Sequence, residues 1–266
     1  MSRRRLDLEL VRRGLAATLD EARHAVLAGG VTVGGRPALK PGTLVAPAEP
    51  VALTAPSRRF VSRGGEKLAA ALTRFSVEPV GRRCLDAGSA TGGFTDALLA
   101  GGAEHVTAVD VGYGQLAWRL RRDARVTVME RTNVRDLRPE DLSPPPDLVV
   151  ADLSFISLAA VVPALAAVAA DRAEFIFLVK PQFEARAEEV SRGGVVRDPA
   201  VWGRVIDEVA DACRGAGVGP IDVIPSPLSG PAGNVEFLLH SAGGRLGLPL
   251  DIDGAIAEGR SIGKTA

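Results

Sequence analysis

The chain has no net charge, because its 32 Lys and Arg balance 32 Asp and Glu. Net charge therefore excludes no class of partner, and only its distribution is informative. Cysteine is nearly missing, with Cys84 and Cys213 the two present. So few cannot form a disulfide scaffold. No apolar leader follows Met1, so a reduced cytoplasm is expected rather than secretion. Long apolar runs are absent but for one. Leu153 to Ala170 is uncharged for 18 residues, the lower limit for a membrane span. It holds Ser154, Ser157, Pro163 and many small alanines, and lies between two strand-like runs. A buried helix packed on a sheet is the expected form. There is no internal repeat or low-complexity tract, and the Gly-rich tail after Gly243 carries no signal. What is present is 46% apolar residues, enough for a substantial core, which excludes a disordered chain.

The charge is unevenly placed. Residues 1–60 hold ten Lys/Arg against five Asp/Glu, a balance of +5, which leaves −5 for the remainder. A basic head on an acidic body points to a polyanion, nucleic acid first. The head reads as a helix from Leu6 to Arg13 closed by Gly14. A second helix, Leu19 to Leu27, opens on the capping pair Thr18 and Glu21 and ends at Gly29-Gly30. Short strands follow at VTVGG and VALT, separated by Pro-Gly turns. Beyond Ala55 to Gly65, which reads as a linker, strand-like and helix-like runs alternate. RCLDAG, HVTAVD, VTVME, LVVAD, FIFLVK, IDVIPS and VEFLLH are the strands, and this order argues for a parallel sheet covered on both faces.

Four strands end in a charge: Asp86, Asp110, Asp152 and Lys180. The carboxyl ends of parallel strands share one edge, where ligands bind. Any one of the four could be a solvated strand end; four in register collect three acids and a lysine into one crevice. LDAGSATGGFTDALL is a glycine-rich strand-to-helix loop in which Gly88, Gly92 and Gly93 allow close backbone approach. It is not Gly-x-Gly-x-x-Gly, and Asp86 before it disfavours a pyrophosphate but suits an ammonium and a sulfonium. Asp110 is placed for ribose hydroxyls. S-adenosylmethionine is therefore favoured over NAD. ADLSFISL lacks the two prolines of methyltransferases that act on exocyclic base nitrogens. A ribose hydroxyl instead needs its proton removed or its alkoxide stabilised, and a strand-end lysine can supply either. Lys67, early in a helix-like run, and Glu236, in the apolar run VEFLL, are the other charged candidates.

SRGGEKL, CLDAGSATGGFTDALL, VDVGYGQL, ERTNVRDL, ADLSFISL, LVKPQFEA, GGVVRDP and SPLSGPAGNVEFLL together resemble the TlyA, or hemolysin A, family, in order from about Arg5 to His240. The resemblance implies an α/β protein. Residues 1–55 would be a small α+β S4-type RNA-binding domain and 56–65 a linker. Residues 66–266 would be a Rossmann-like class I methyltransferase with a mostly parallel sheet and S-adenosylmethionine as cofactor. Lys67, Asp152, Lys180 and Glu236 would take the family's catalytic Lys-Asp-Lys-Glu places. Gly88, Ser89, Gly92, Phe94 and Thr95 would match the cofactor loop, beside Asp86. Asp110 would be the ribose acid, Asn133 and Val134 the adenine contacts, and Phe155 a cofactor-proximal aromatic. Phe60 stands where some members have tryptophan in the linker. Arg5, Arg13 and Lys40 would contact phosphates, with Arg58 and Arg63 extending that path. The implied substrates are cytidine 2′-hydroxyls of 16S and 23S rRNA in 30S and 50S subunits, with susceptibility to capreomycin-type antibiotics as the consequence. Competing readings are a membrane-active haemolysin, which could use only residues 153–170, and a non-catalytic RNA-binding protein. No metal is expected.

Overall fold

Seven β-branched and apolar runs pair into one sheet: β1 Arg83–Ala87, β2 His105–Asp110, β3 Val126–Glu130, β4 Leu148–Ala151, β5 Glu174–Val179, β6 Val218–Pro225 and β7 Phe237–Gly243. The computed structural model describes residues 3–16, 18–27, 29–53 and 59–262. Strand order is β6-β7-β5-β4-β1-β2-β3. The pairs from β5 to β3 are parallel, whereas β7 runs antiparallel to both β5 and β6. A physical reason for the reversed strand is its short connection: residues 226–236 join β6 to β7 with no helix, and such a link closes an antiparallel pair.

Helices cover both faces, as the alternation of runs requires. One face carries α1 (Arg63–Phe75) and α2 (Gly93–Ala100); the other carries α3 (Val162–Val168) and α4 (Pro199–Gly215). Strand side chains divide by parity. In β5, Phe175, Phe177 and Val179 enter the α3/α4 core, while Ile176 and Leu178 enter the α1/α2 core.

Three expectations change. The 153–170 stretch is not one buried helix: α3 covers only Val162–Val168, with Pro163 in its first turn, where proline does not break the ladder. The tail is not featureless, because Ile252–Ile262 forms α5, capped by Asp251 accepting the Gly254 N–H at 3.0 Å. Of the stretch read as linker, residues 55–58 lie outside the described residues and 59–65 are built into the body. Helix α1 starts at Arg63, Val61 N–H donates to Asp96 at 2.8 Å, and Phe60 is 3% exposed.

The head has a core of its own, including Leu6, Leu10, Ala22, Val26 and Val45. Its helices are Leu6–Arg12 and Leu19–Leu27, the second opened by Glu21 N–H donating to Thr18 Oγ1 at 3.1 Å. Arg4–Arg5 pairs with Leu44–Val45, and Val31–Val33 pairs with Arg36–Pro37 and Val51–Leu53.

The seating of Phe60 is testable. A Cβ at Gly65 would overlap both the Cβ and the ring of Phe60. Gly65→Ala should cost about 1–3 kcal/mol through overpacking. In a double-mutant cycle followed by urea unfolding of the full chain, Phe60→Gly, which also removes the Phe60 Cβ lying 2.4 Å from that position, should cancel most of that penalty. Additive losses would show that the two residues do not press on one another.

Candidate active site

The parity that sorts the core also aims the strand-end charges. Cys84, Val106, Val150, Leu178 and Leu238 all face the α1/α2 core. Continuing each strand by period two puts Asp86, Asp110, Asp152, Lys180 and Glu236 on that same face. The five share one edge and one side of the sheet.

Lys180 follows β5, and Pro181 starts a new helical turn behind it, so the lysine is fixed at the strand end. Its Nζ donates to Ser154 Oγ at 2.9 Å and lies 2.6 Å from Asp152 Oδ1. The Asp152 contact is ionic rather than an aligned hydrogen bond, and Oδ1 accepts none. Asp152 is held by its own N–H donating to the Ala87 carbonyl at 3.0 Å. Lys67, on the inward side of α1, is ion-paired with Glu236, and the two are 7% and 1% exposed. The β5/β7 register pairs Val179 with Phe237, so its next step sets Glu236 opposite Lys180. Thus the four expected catalytic positions form two ion pairs on one edge. The direct pairings are Lys180 with Asp152 and Lys67 with Glu236.

A cavity of about 150 Å³ opens where these strands end. Lys180, Asp152 and Ser154 line one side; Gly88, Ser89 and Phe94 line the glycine loop's side, and Ser62 and Gly64 of the α1 start close it. Gly88 has φ +84°, and a Cβ there would lie 2.6 Å from the Asp152 carbonyl oxygen, so only glycine lets loop and β4 approach this closely. The residue after Ser89 is strained: Ala90 has φ +44° without being glycine. Asp110 holds the loop there, accepting from Ala90 N–H at 2.9 Å through Oδ2 and from Gly112 N–H at 2.6 Å through Oδ1. A larger open groove of about 980 Å³ between α4 and α5 shares none of these residues.

Several site expectations shift. Asp86 and Thr95 do not line the cavity. Both are fully buried, with Asp86 Oδ2 accepting from Thr95 N–H at 2.8 Å and from Thr95 Oγ1 at 2.6 Å. Asp86 Oδ1 has no hydrogen-bond partner. Burial is the main reason that its carboxyl is pushed up to about 7, with nearby Asp152 and Asp110 adding repulsion against the Thr95 bonds. Gly92, φ +95°, packs against Leu116 and Leu120 and caps α2 rather than facing the cavity. Asn133 caps a short helical turn by accepting from Arg135 N–H, and Val134 is 5% exposed, its side chain in the core. Thr132 N–H donates to the Asp110 carbonyl, which ties that turn to the end of β2. Phe155 has φ +63° and is 91% exposed, its ring 5.1 Å from Phe183 and outside the cavity lining. Ser154 and Ser62 were missed; both lie within motifs used above, but nothing in their spacing marked them.

In the basic set, Lys40 is exposed. Arg5 is bound to Asp7 at 2.7 Å. Arg13 is spent internally, donating to Glu9, to the Glu49 carbonyl and to the Pro47 carbonyl, so it is a staple rather than a free cation. Glu9 is held down to about 2 by hydrogen bonds from Arg12 and Arg13. Arg63 donates to the Ser229 carbonyl at 2.6 Å. Arg58 lies outside the described residues. Among the described residues no helix is long and apolar enough to cross a membrane, and no cluster could hold a metal ion.

The FtsJ-like methyltransferase family matches residues 60–242, and the S4 domain family matches residues 4–51. TlyA of Mycobacterium tuberculosis, a 16S/23S rRNA (cytidine-2′-O)-methyltransferase, is 52% identical over 241 residues, 90% of each chain. The chain belongs to the TlyA (hemolysin A) family. Hemolysin A of Brachyspira hyodysenteriae is 34% identical over 89% of this chain and 98% of its own. A solved structure named as a hemolysin from Streptococcus thermophilus matches with TM-score 0.77 and 36% identity, covering 100% of this chain and 98% of that one. This TlyA-family protein is an S-adenosylmethionine-dependent methyltransferase with a Rossmann-like fold and an N-terminal S4 domain.

The buried Asp86 has a signature in stability. Its folded pKa, about 7, lies above the ordinary 3.8, so the native state keeps a proton that the unfolded chain loses. Its contribution is complete below about pH 4 and is lost as pH rises toward 7, by roughly 1.4 kcal/mol per pH unit at most. Asp86→Asn keeps an acceptor for Thr95 and cannot ionise. Wild type minus variant stability, measured by urea unfolding from pH 4 to 8, should fall over this window. Parallel curves would remove Asp86 as a proton-binding group.

Proposed function

We propose that this protein transfers a methyl group to the ribose 2′-hydroxyl of cytidine in ribosomal RNA, acting on 16S and 23S rRNA within 30S and 50S subunits. The observation that carries the reading is Lys180. It stands at the cavity, held between Asp152 and Ser154, next to a glycine loop that belongs to a methyltransferase body. The M. tuberculosis relative's stated activity supports the same substrate.

The residues fit the cofactor. The edge presents Asp110 and Asp152, complementary to a cationic ligand, and Gly88 leaves room that a Cβ would fill. Ser89 and Phe94 would flank the methionine end, Asp110 would accept from the ribose hydroxyls, and the Asn133–Val134 backbone would border the adenine. Asp86 and Thr95 act from below by setting the loop's shape. When bound, the cofactor supplies an electrophilic methyl on a sulfonium. Lys180 bears on the attacking 2′-oxygen, as proton acceptor or as the charge that stabilises the alkoxide. Asp152 orients Lys180, and Ser154 takes one of its hydrogen bonds. Lys67 and Glu236 neutralise one another under the same edge and hold α1 against β7.

Residues 1–55 dock rRNA through exposed cations such as Lys40, and residues from Phe60 onward carry the chemistry. The protein works in the cytoplasm, where its substrate is, and its methylation renders ribosomes susceptible to capreomycin-type antibiotics.

Lys180→Ala should lower methyl transfer to ribosomal subunits by ~10²–10⁴-fold, while calorimetric affinity for S-adenosylmethionine stays within severalfold. Asp110→Ala should do the opposite, weakening cofactor binding first. Full activity in Lys180→Ala would overturn the reading.

A further inference from the structure

Two sequence blocks have no part in the chemistry above: GGVVRDP (Gly193 to Pro199) and SPLSGPAGN (Ser226 to Asn234). The structure joins them through one buried side chain. Asn234, 2% exposed, accepts the Val196 N–H at 2.9 Å and donates to the Gly194 carbonyl at 2.8 Å. Those bonds hold a tight turn. Gly194 N–H donates to the Ser191 carbonyl at 2.8 Å, Ser191 N–H to the Val195 carbonyl at 3.1 Å, and Val195 N–H to Ser191 Oγ at 3.2 Å. Asn234 lies two residues before Glu236, so the turn is fixed to the strand whose first residues meet Lys67 and face Lys180. The connection is anchored near its start too. Glu184 accepts from Ser157 Oγ and from Leu158 N–H, each at 2.6 Å. Between these anchors the chain from β5 to α4 is held on the sheet edge that carries the catalytic lysine.

The outer surface of the turn is cationic. Arg192 and Arg197 are exposed, and neither has an acidic partner among the described residues. The nearby acids are committed elsewhere, Glu189 to Arg204 and Asp198 to the Ala200 N–H that caps α4; Glu188 alone is left over. Other exposed arginines of the body, such as Arg135 and Arg172, also lack an ion pair among the described residues, but Arg192 and Arg197 lie together on one firmly built turn. Gly193 is a second sign. Its backbone is not left-handed, and a Cβ there would meet nothing nearer than Ser191 Oγ at 4.0 Å. The fold itself does not demand glycine at that position. The open space there would admit a partner backbone at close range.

We propose that the Ser191–Arg197 turn is an RNA-contact element of the methyltransferase body, in which Arg192 and Arg197 bind phosphates flanking the target nucleotide. Asn234 is the positioning residue that holds it beside the Glu236 strand. The inference rests on the rRNA reading and places a second electrostatic contact next to the chemistry, separate from the S4 head.

The test uses full-length protein, purified ribosomal subunits and a salt series. For the double variant Arg192→Ala/Arg197→Ala, subunit binding without cofactor should weaken. Its log–log salt slope should be shallower by roughly 1.4–1.8, the value for two lost phosphate contacts at about 0.7–0.9 each. Methylation should show a raised KM for subunits with kcat and S-adenosylmethionine affinity unchanged. Asn234→Ala should reproduce the KM defect with both arginines present. Both substitutions in the double variant are on the surface, so it carries the test if Asn234→Ala folds poorly. Subunit affinity and salt slope equal to wild type would overturn the proposal. So would weaker binding with an unchanged salt slope, which would mark a protein contact instead. If wild type binds subunits but transfers no methyl to rRNA, the functional reading fails, while the salt slopes still decide on the turn.

Discussion

A buried ammonium or carboxylate is destabilising by several kcal/mol unless an opposite charge meets it. Lys67 and Glu236 are both nearly inaccessible and satisfy that constraint by pairing with one another. Much of the site follows. The pair binds the first helix of the body to the reversed strand of the sheet, a span of 169 residues in sequence. Lys180 then sits directly across from Glu236 in register and turns to Asp152 and Ser154. The lysine that faces the cavity is thus the one whose partners are partly open to it, and the fully enclosed pair serves as its support.

The second constraint is phase. Period-two alternation means that a strand ending one residue earlier or later would send its charge to the other face. Four strands end, and the reversed β7 begins, in matching phase, so Asp86, Asp110, Asp152, Lys180 and Glu236 fall on the α1/α2 side. The loop after β1 then has to pass very close to β4, which explains the left-handed Gly88 pressed against the Asp152 carbonyl. Asp86 is the exception in solvent access. It is the member driven beneath the loop, where Thr95 takes one oxygen and the other stays without a partner.

Much of this was legible in the sequence, because apolar runs terminated by a charge announce both a strand and its edge. The parallel core, the glycine loop and the three acids with a lysine all come from that pattern. Other features were not legible, for local reasons. Pro163, which counted against a membrane span, marks the first turn of a helix much shorter than the apolar stretch. Ile252–Ile262 was hidden by a glycine-rich approach and a sequence in which Gly254 and Gly259 dilute the helical period. Sequence could not tell that Arg13 is consumed by two carbonyls and Glu9, since its type matches a phosphate contact equally well. Nor could it show Phe155 turned outward, because that depends on a left-handed backbone that a phenylalanine seldom adopts.

The charge divides along the chain as the two family matches do. The head carries a net positive charge on a small core of its own, while the body carries a net negative charge. The central claim is that the methyl goes to a ribose oxygen of cytidine. Incubating ribosomal subunits with the protein and S-adenosylmethionine carrying a labelled methyl, then digesting the rRNA to nucleosides, tests it most directly. The account predicts the label in 2′-O-methylcytidine; label on a base nitrogen or carbon would contradict it.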